Sequence, residues 1–150
     1  MDSHSEESLT ILQWNCNGVR GRLNDIIQYA REHQTDVIVL QETLVGKDFN
    51  PRFSGYLKFS LPSGDRKPGL ITYVSHNKPA QIIDDLHMED DYESLGVTLY
   101  LNNNALHIIN LYVPHSKLDL DTQPEFVNEE PTLLVGDLNA RHPHFEDNCH

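Results

Sequence analysis

Four consecutive aliphatic residues, Val37-Ile38-Val39-Leu40, leave little choice about what surrounds them. A strand with one face in solvent alternates apolar and polar residues, whereas a strand that is apolar throughout needs other elements on both faces. We therefore predict a strand over 36–41 in the interior of a layered structure.

An amphipathic helix pattern precedes this strand. Its apolar residues recur at helical spacing with polar residues between them: Leu23, Ile26, Ile27 and Ala30. The pattern predicts a helix over 22–34, preceded by a short strand over 9–15 and a turn at Asn17-Gly18. This alternation of strand and helix favours an α/β domain.

The second half of the chain carries strand patterns without helices between them. We predict strands over 70–75, 81–83, 94–101, 106–113 and 132–135. Asn102-Asn103-Asn104 indicates a hairpin turn, since asparagine tolerates positive φ, so the flanking strands should be antiparallel. The Pro- and Gly-containing segment 46–67 predicts loops around one short strand near 56–60, and the polar segment 117–128 leaves room for a short helix.

Composition narrows the class of protein. With 38% hydrophobic and 23% charged residues, the 150-residue chain is typical of one globular domain, here 9–150, and carries no membrane-span pattern. Residues 1–8 are polar and acidic, unlike a signal peptide, and predict a disordered tail. Cys16 and Cys149 form no disulfide framework, which favours an intracellular protein, nuclear or cytoplasmic, over a secreted one.

The charge of the chain is strongly acidic. A net charge of −12 argues against broad electrostatic attraction to nucleic acid, which needs a basic surface. Part of this acidity lies in one segment, and such a run predicts a solvated loop containing Asp84, Asp85, Glu89, Asp90, Asp91 and Glu93. Metal ions held by carboxylates would offset more of it.

Polar side chains stand at the ends of four predicted strands. They are Asn15 and Asn17, Glu42, Tyr112 and His115, and Asp137 and Asn139, in chain order. Each alone has an ordinary structural explanation as a turn, cap or packing residue. Strand ends at one edge of a sheet converge, however, and loops at such an edge commonly carry function.

Converging carboxylates and amides indicate a hard metal ion. Oxygen ligands without a cysteine or histidine pair favour Mg²⁺ or Mn²⁺, and Mg²⁺ on one or two carboxylates completes its shell with water and substrate phosphate. This arrangement suits phosphoester hydrolysis, in which a carboxylate orients or deprotonates the attacking water and neutral donors hold the phosphate oxygens.

Four motifs in this order resemble those of the endonuclease/exonuclease/phosphatase superfamily: Trp14-Asn15-Cys16-Asn17-Gly18, Gln41-Glu42-Thr43, Tyr112-Val113-Pro114 and Gly136-Asp137-Leu138-Asn139. With Ala140-Arg141-His142 the last motif is most similar to apurinic-like endonuclease domains of Jockey-type non-LTR retrotransposons. The resemblance runs from Leu9 onward. It implies a four-layer α/β sandwich, two mixed β-sheets flanked by helices, and a metal-dependent phosphodiesterase that nicks DNA.

The resemblance implies catalytic roles for four residues. Asp137 would activate or orient the attacking water, and Asn139 would assist it. Asn15 would hold Asp137 and the phosphate in place, while Tyr112 would donate a hydrogen bond to a phosphate oxygen.

Four further residues would bind the metal or the substrate. Glu42 would be the principal metal ligand, and Asn17 would lie beside it as a metal ligand or substrate contact. Arg141 would bind substrate. His115 stands where apurinic endonucleases typically carry asparagine, and it either contacts phosphate or packs within its loop.

The sequence departs from the superfamily pattern after Asp137. It has no Ser-Asp-His motif, whose histidine contacts the scissile phosphate, and it resembles the N-terminal two thirds of such a domain with an incomplete second sheet. The alternatives are therefore a weak or inactive remnant of a mobile-element endonuclease, and a phosphatase-like member of the superfamily. A zinc site is a third, less favoured interpretation because the spacing fits no compact motif, and it would use His142, His144, Cys149 and His150. The oligomeric state stays open.

Overall fold

The computed structural model describes residues 8–49, 51–64, 67–84, 92–113 and 130–137, with Asp137 described by its backbone. In chain order the elements are β1 (Ile11–Asn15), α1 (Leu23–Glu32), β2 (Val37–Gln41), β3 (Tyr56–Leu61), β4 (Leu70–Ser75), β5 (Ala80–Ile82), β6 (Glu93–Tyr100), β7 (Ala105–Tyr112) and β8 (Thr132–Asp137). The predicted tail, apart from Ser8, and the predicted helix over 117–128 lie outside the described residues.

The strands form two mixed sheets of four strands each. Sheet 1 has the order β1-β2-β4-β3 and sheet 2 the order β5-β6-β7-β8. The β1–β2 and β7–β8 pairs are parallel, and the other pairs are antiparallel. This arrangement confirms the predicted α/β sandwich of two mixed sheets.

Strand β2 is covered on both faces, as its sequence predicts. Its five residues are all buried. On one face Ile38 and Leu40 pack with helix α1, and on the other Val37 and Val39 pack against residues of sheet 2. Since each fully buried side chain of this type contributes about 1.5–3 kcal/mol, β2 anchors both layers of core.

Helix α1 buries the predicted apolar face but is shorter than the predicted segment. Leu23, Ile26, Ile27 and Ala30 are all buried against sheet 1. The helix ends at Glu32 because Gln34 adopts a left-handed φ of 51° and the Thr35 N–H donates to the Ala30 carbonyl over 2.8 Å. Such a closing turn is a common helix C-terminus.

The space between the sheets changes from apolar to polar along the strands. Its apolar part is formed by Val37, Val39, Val74, Val97, Leu99 and Ile108. Beyond it lies an amide layer, in which Gln13 Nε2 donates to Gln41 Oε1 (2.6 Å) and Gln41 Nε2 donates to Asn110 Oδ1 (2.9 Å). Asn110 Nδ2 donates to the carbonyl oxygens of Leu40 and Ile71, each over 3.1 Å, so one side chain of sheet 2 bonds two strands of sheet 1.

Two predictions about β6 have different outcomes. The hairpin turn is confirmed, because the Leu101 N–H donates to the Asn104 carbonyl over 2.8 Å and β6 and β7 are antiparallel. The solvated acidic loop is wrong for Glu93, which is the first residue of β6 and only 2% exposed. Residues 85–91 of that run lie outside the described residues.

The remaining strands agree with their predicted positions to within one or two residues at most ends. Strand β8 forms one edge of sheet 2, and its Leu133 and Leu134 side chains are 40% and 43% exposed. Within the described ranges no helix is both long and apolar enough to cross a membrane.

Candidate functional site

The C-terminal ends of β1, β2, β7 and β8 lie at one edge of the sandwich, which we call the site edge. Parallel pairing sets Asn15 beside Gln41 and Tyr112 beside Asp137. The hydrogen bond from Gln41 to Asn110 joins β2 and β7 near these ends, so both pairs finish on the same side. Five of the site residues predicted from the sequence lie at this edge: Asn15, Asn17, Glu42, Tyr112 and Asp137.

The other predicted site residues cannot be located in this way. His115, Asn139 and Arg141 lie outside the described residues, as do the four residues of the zinc interpretation. The roles of all these residues therefore remain predictions.

Backbone hydrogen bonds continue the β1–β2 pairing into two loops at the site edge. The Gly18 N–H donates to the Glu42 carbonyl over 2.8 Å, and the Val19 N–H donates to the Thr43 carbonyl over 3.0 Å. These bonds hold Asn17 and Glu42 on adjacent loops. The sequence resemblance predicts that these two residues act together.

Left-handed backbone conformations concentrate in these loops. Of the four non-glycine residues with positive φ in the described part of the chain, three are here: Asn17 (46°), Glu42 (50°) and Leu44 (55°). Asparagine tolerates this conformation, whereas glutamate and leucine adopt it at a cost of about 1 kcal/mol or more. Strain of this kind often marks a functional site, where surrounding contacts maintain an otherwise unfavourable geometry.

The side chain of Glu42 is suited to bind a cation. It is half-buried, and none of the other described residues gives its carboxylate a hydrogen bond or ion pair. Burial raises the pKa of the neighbouring Cys16 thiol to about 11, with Arg22 lowering it and Glu42 raising it. Both charges are therefore near enough to Cys16 to act on its thiol.

The available ligands fit Mg²⁺ held partly by water and substrate. Magnesium commonly takes only one or two protein carboxylates, and the exposed amide of Asn17 offers a further oxygen beside Glu42. Across the residues that the structure describes, no three His, Cys, Asp or Glu side chains come together as a metal cage.

Sequence reasoning missed Glu93, a buried carboxylate at the site edge. It pairs with Tyr112, which pairs in turn with Asp137, so these positions form one row across sheet 2. Burial raises the pKa of Glu93, while the Gly69 N–H and Lys67 act in the opposite direction. The strand alternation could have revealed it, because Glu93 continues the series Leu95, Val97 and Leu99 on one face of β6.

Comparison with known proteins gives a match to one protein family and a relative whose name is that of a nuclease. Residues 12–148 match the endonuclease/exonuclease/phosphatase family. The exodeoxyribonuclease of Bacillus subtilis (strain 168) is 26% identical over 155 aligned positions, which cover 89% of this chain and 60% of that protein. This chain therefore spans less than two thirds of that relative.

Two further matches concern mobile elements. A probable RNA-directed DNA polymerase from transposon X-element of Drosophila melanogaster is 31% identical over 74 residues, which are 48% of this chain and 8% of that protein. The endonuclease domain of TRAS1, a telomere-specific non-LTR retrotransposon, superposes with a TM-score of 0.65 at 14% identity, covering 89% of this chain and 61% of that one. At this identity the second match establishes a shared fold.

Proposed function

Because the chain belongs to the endonuclease/exonuclease/phosphatase family, we propose that it is a Mg²⁺-dependent phosphodiesterase that nicks DNA, with Mn²⁺ as an alternative ion. The similarity to a transposon X-element protein supports the resemblance to retrotransposon proteins, and the TRAS1 endonuclease domain shares the fold. The observation that carries the proposal is the meeting of four polar strand ends at one edge: Asn15, Glu42, Tyr112 and Asp137.

Glu42 and Asn17 would hold the metal in this proposal. Bound there, the ion would neutralise charge on the phosphate and lower the pKa of a bound water. The paired loops keep the two residues adjacent without substrate, so the ligands need little rearrangement when a phosphate arrives.

The remaining residues would act on the water and the phosphate. Asp137 orients the attacking water and accepts its proton, with Asn139 assisting. Asn15 holds the Asp137 carboxylate, and the Tyr112 hydroxyl donates to a non-bridging phosphate oxygen as negative charge develops there. Arg141 contacts the flanking substrate, and His115 either contacts phosphate or packs within its loop.

An uneven charge distribution supports DNA as the substrate despite the acidic total. Nine of the eleven basic residues fall in one stretch of the sequence: Arg20, Arg22, Arg31, Lys47, Arg52, Lys58, Arg66, Lys67 and Lys78. Arg20 directly follows the Asn17 loop, and its guanidinium carbon lies 4.2 Å from the centroid of the Phe49 ring. Phosphates that flank the scissile bond could thus meet positive charge beside Glu42, while most acidic residues lie elsewhere.

The test is nicking of supercoiled plasmid by the purified chain in Mg²⁺. Asp137→Asn and Glu42→Gln should each reduce the rate by about 10²–10³-fold, as expected when one group that stabilises the transition state is removed. Glu32→Gln is the matched control, because Glu32 is exposed at the end of α1, away from the site edge, and should leave the rate unchanged.

Equal nicking by the wild type and Asp137→Asn would reject the proposal and identify a contaminating nuclease. Parallel assays with inositol phosphates and phospholipids address the phosphatase-like alternative, which the net charge of −12 keeps open. Hydrolysis of these small substrates without nicking would support that alternative, and hydrolysis of neither class would support an inactive remnant.

A further inference from the structure

We propose that Glu93 is a positioning residue, which ties sheet 2 to the loop that carries Glu42 and thereby sets the affinity of that loop for a divalent cation. This inference deepens the proposed function, since it takes Glu42 as the metal ligand. It assigns a purpose to a carboxylate that none of the proposed catalytic steps uses.

Glu93 occupies an unusual place for an acidic residue. Among the buried side chains of the described ranges it is the one carboxylate, and it opens β6 in register with Tyr112. Removing a carboxylate from water is unfavourable unless hydrogen bonds compensate. A role that requires this position would explain why a carboxylate is buried there.

The hydrogen bonds of Glu93 reach across to sheet 1. The Gly69 N–H lies 3.0 Å from Oε1 and 3.2 Å from Oε2, and both oxygens accept from it. Gly69 has a left-handed φ of 97°, and a Cβ there would stand 2.7 Å from Thr43 Oγ1. Only a glycine lets the chain pass this close to Thr43 with its N–H directed at Glu93.

The peptide that Glu93 holds also supports the loop after Glu42. The Thr43 N–H donates to the Gly69 carbonyl over 3.3 Å, and the Leu44 N–H donates to the Pro68 carbonyl over 2.8 Å. From the other side, the N–H groups of Gly18 and Val19 hold the carbonyls of Glu42 and Thr43. The left-handed backbone at Glu42 and Leu44 is therefore fixed between two sets of hydrogen bonds, one of which depends on Glu93.

A purely structural bridge would stabilise the fold without changing metal binding. A positioning residue should change both, because losing a group that orients a ligand typically weakens metal affinity about 10–100-fold. The two roles can be separated by comparing the metal affinity of a Glu93 variant with that of a control variant that is also destabilised.

The experiment measures Mn²⁺ binding to the full 150-residue chain by titration with electron paramagnetic resonance. The relevant component is the binding that Glu42→Ala removes. Glu93→Ala should raise the Kd of this component about tenfold or more. Glu93→Gln should keep the Kd within about threefold, because its amide oxygen still accepts from the Gly69 N–H.

Leu99→Ala is the matched control, since it destabilises the core of sheet 2 at the opposite end of β6. Its Kd should equal that of the wild type. A change below about twofold in Glu93→Ala, or an equal change in Leu99→Ala, would overturn the inference. A loss in Glu93→Gln as large as in Glu93→Ala would also overturn it, because the acceptor is retained.

If Glu93→Ala does not fold, Glu93→Asp replaces it, since this variant keeps the charge and withdraws the acceptor by one methylene. It should weaken Mn²⁺ binding severalfold, and an unchanged Kd would contradict the role of geometry. A wild type that binds Mn²⁺ through Glu42 without nicking DNA contradicts the proposed function alone. A chain that nicks DNA while Glu93→Ala keeps its Kd contradicts this inference alone.

Discussion

Cys16 lies between two residues of the site edge but faces the opposite way. Strand alternation turns Asn15 towards sheet 2 and Cys16 towards the core beneath α1, where its thiol is fully buried. Its Sγ is 3.8 Å from the Trp14 carbonyl, a weak hydrogen bond. Burial raises its pKa to about 11, so at pH 8 only about one thiol in a thousand is ionised.

We predict that Cys16 reacts at least about 100-fold more slowly than a free thiol with an aromatic disulfide reagent at pH 8. The measurement uses Cys149→Ser, which leaves Cys16 as the single cysteine. The rate should rise as the pH approaches 11 and should become that of a free thiol in denaturant. Fast labelling of the native chain at pH 8 would instead show that the site edge opens readily.

Asn110 is the residue of the amide layer whose side chain joins the two sheets by hydrogen bonds. Asn110→Leu would remove a hydrogen bond from four buried groups: Gln41 Nε2, the carbonyls of Leu40 and Ile71, and Thr72 Oγ1. The two carbonyls belong to strands that are paired on both sides, so Gln41 Nε2 and Thr72 Oγ1 are the groups left without a partner. Each such buried group costs about 1–3 kcal/mol, so the free energy of unfolding should fall by roughly 3 kcal/mol in urea. Asn103→Leu, in the exposed hairpin turn, should change it by less than about 0.5 kcal/mol.

At the scale of elements, the sequence predicts the burial of those strands and helices whose apolar residues recur with a regular period. The sequences of β2 and α1 specify their own burial, because the strand is apolar on both faces and the helix is apolar on one face and polar on the other. The burial of other residues depends on which distant strand they pair with. The local density of acidic residues predicts a solvated loop at Glu93, whereas its pairing with Tyr112 makes it the first residue of β6, on the buried face of that strand.

The site residues divide in the same way, into those that a strand pattern identifies and those that only the packing of the two sheets identifies. Asn15, Glu42 and Tyr112 could be singled out because they end recognisable strands, so topology alone brings them to one edge. The bonds of Glu93 and Asn110 could not be foreseen, since each joins residues far apart in sequence that meet only when two sheets pack. Single-sequence patterns carry little information on such contacts.

The pairing of β7 with β8 depends on one glycine. Gly136 lies against Leu111 of β7, and a Cβ at this position would overlap the Leu111 carbonyl oxygen. Gly136→Ala should therefore force the strands apart and lower the free energy of unfolding by about 2 kcal/mol or more. Amide hydrogen exchange along β7 should accelerate as well.

Gly46→Ala is the matched control for this prediction, since a Cβ at Gly46 would meet no atom within 4 Å. Its stability should change by less than about 0.5 kcal/mol. Equal stability of Gly136→Ala and the wild type would mean that β8 can shift without cost, and the position of Asp137 beside Tyr112 would then lack support.

For the molecule as a whole, the acidic total and the basic stretch have opposite effects on DNA. The net charge of −12 repels a duplex over about one Debye length, roughly 10 Å at 0.1 M salt, whereas individual arginines attract phosphates at contact. Salt weakens both terms. The slope of log affinity against log salt therefore reports how many phosphates are contacted, and its change in a variant shows whether the replaced side chain contacts one.

We predict that Arg20→Ala weakens binding to a DNA duplex by up to about fivefold, since one exposed charge pair contributes up to about 1 kcal/mol. It should also reduce the slope of log affinity against log salt by about 0.9, the value for one phosphate contact. Fluorescence anisotropy without divalent cation measures both quantities. Lys78→Ala is the control, because Lys78 follows β4 where that strand runs away from the site edge, and both quantities should keep their wild-type values. Equal slopes in Arg20→Ala and the wild type would place the DNA on another face, and equal losses in both variants would indicate attraction without a defined contact.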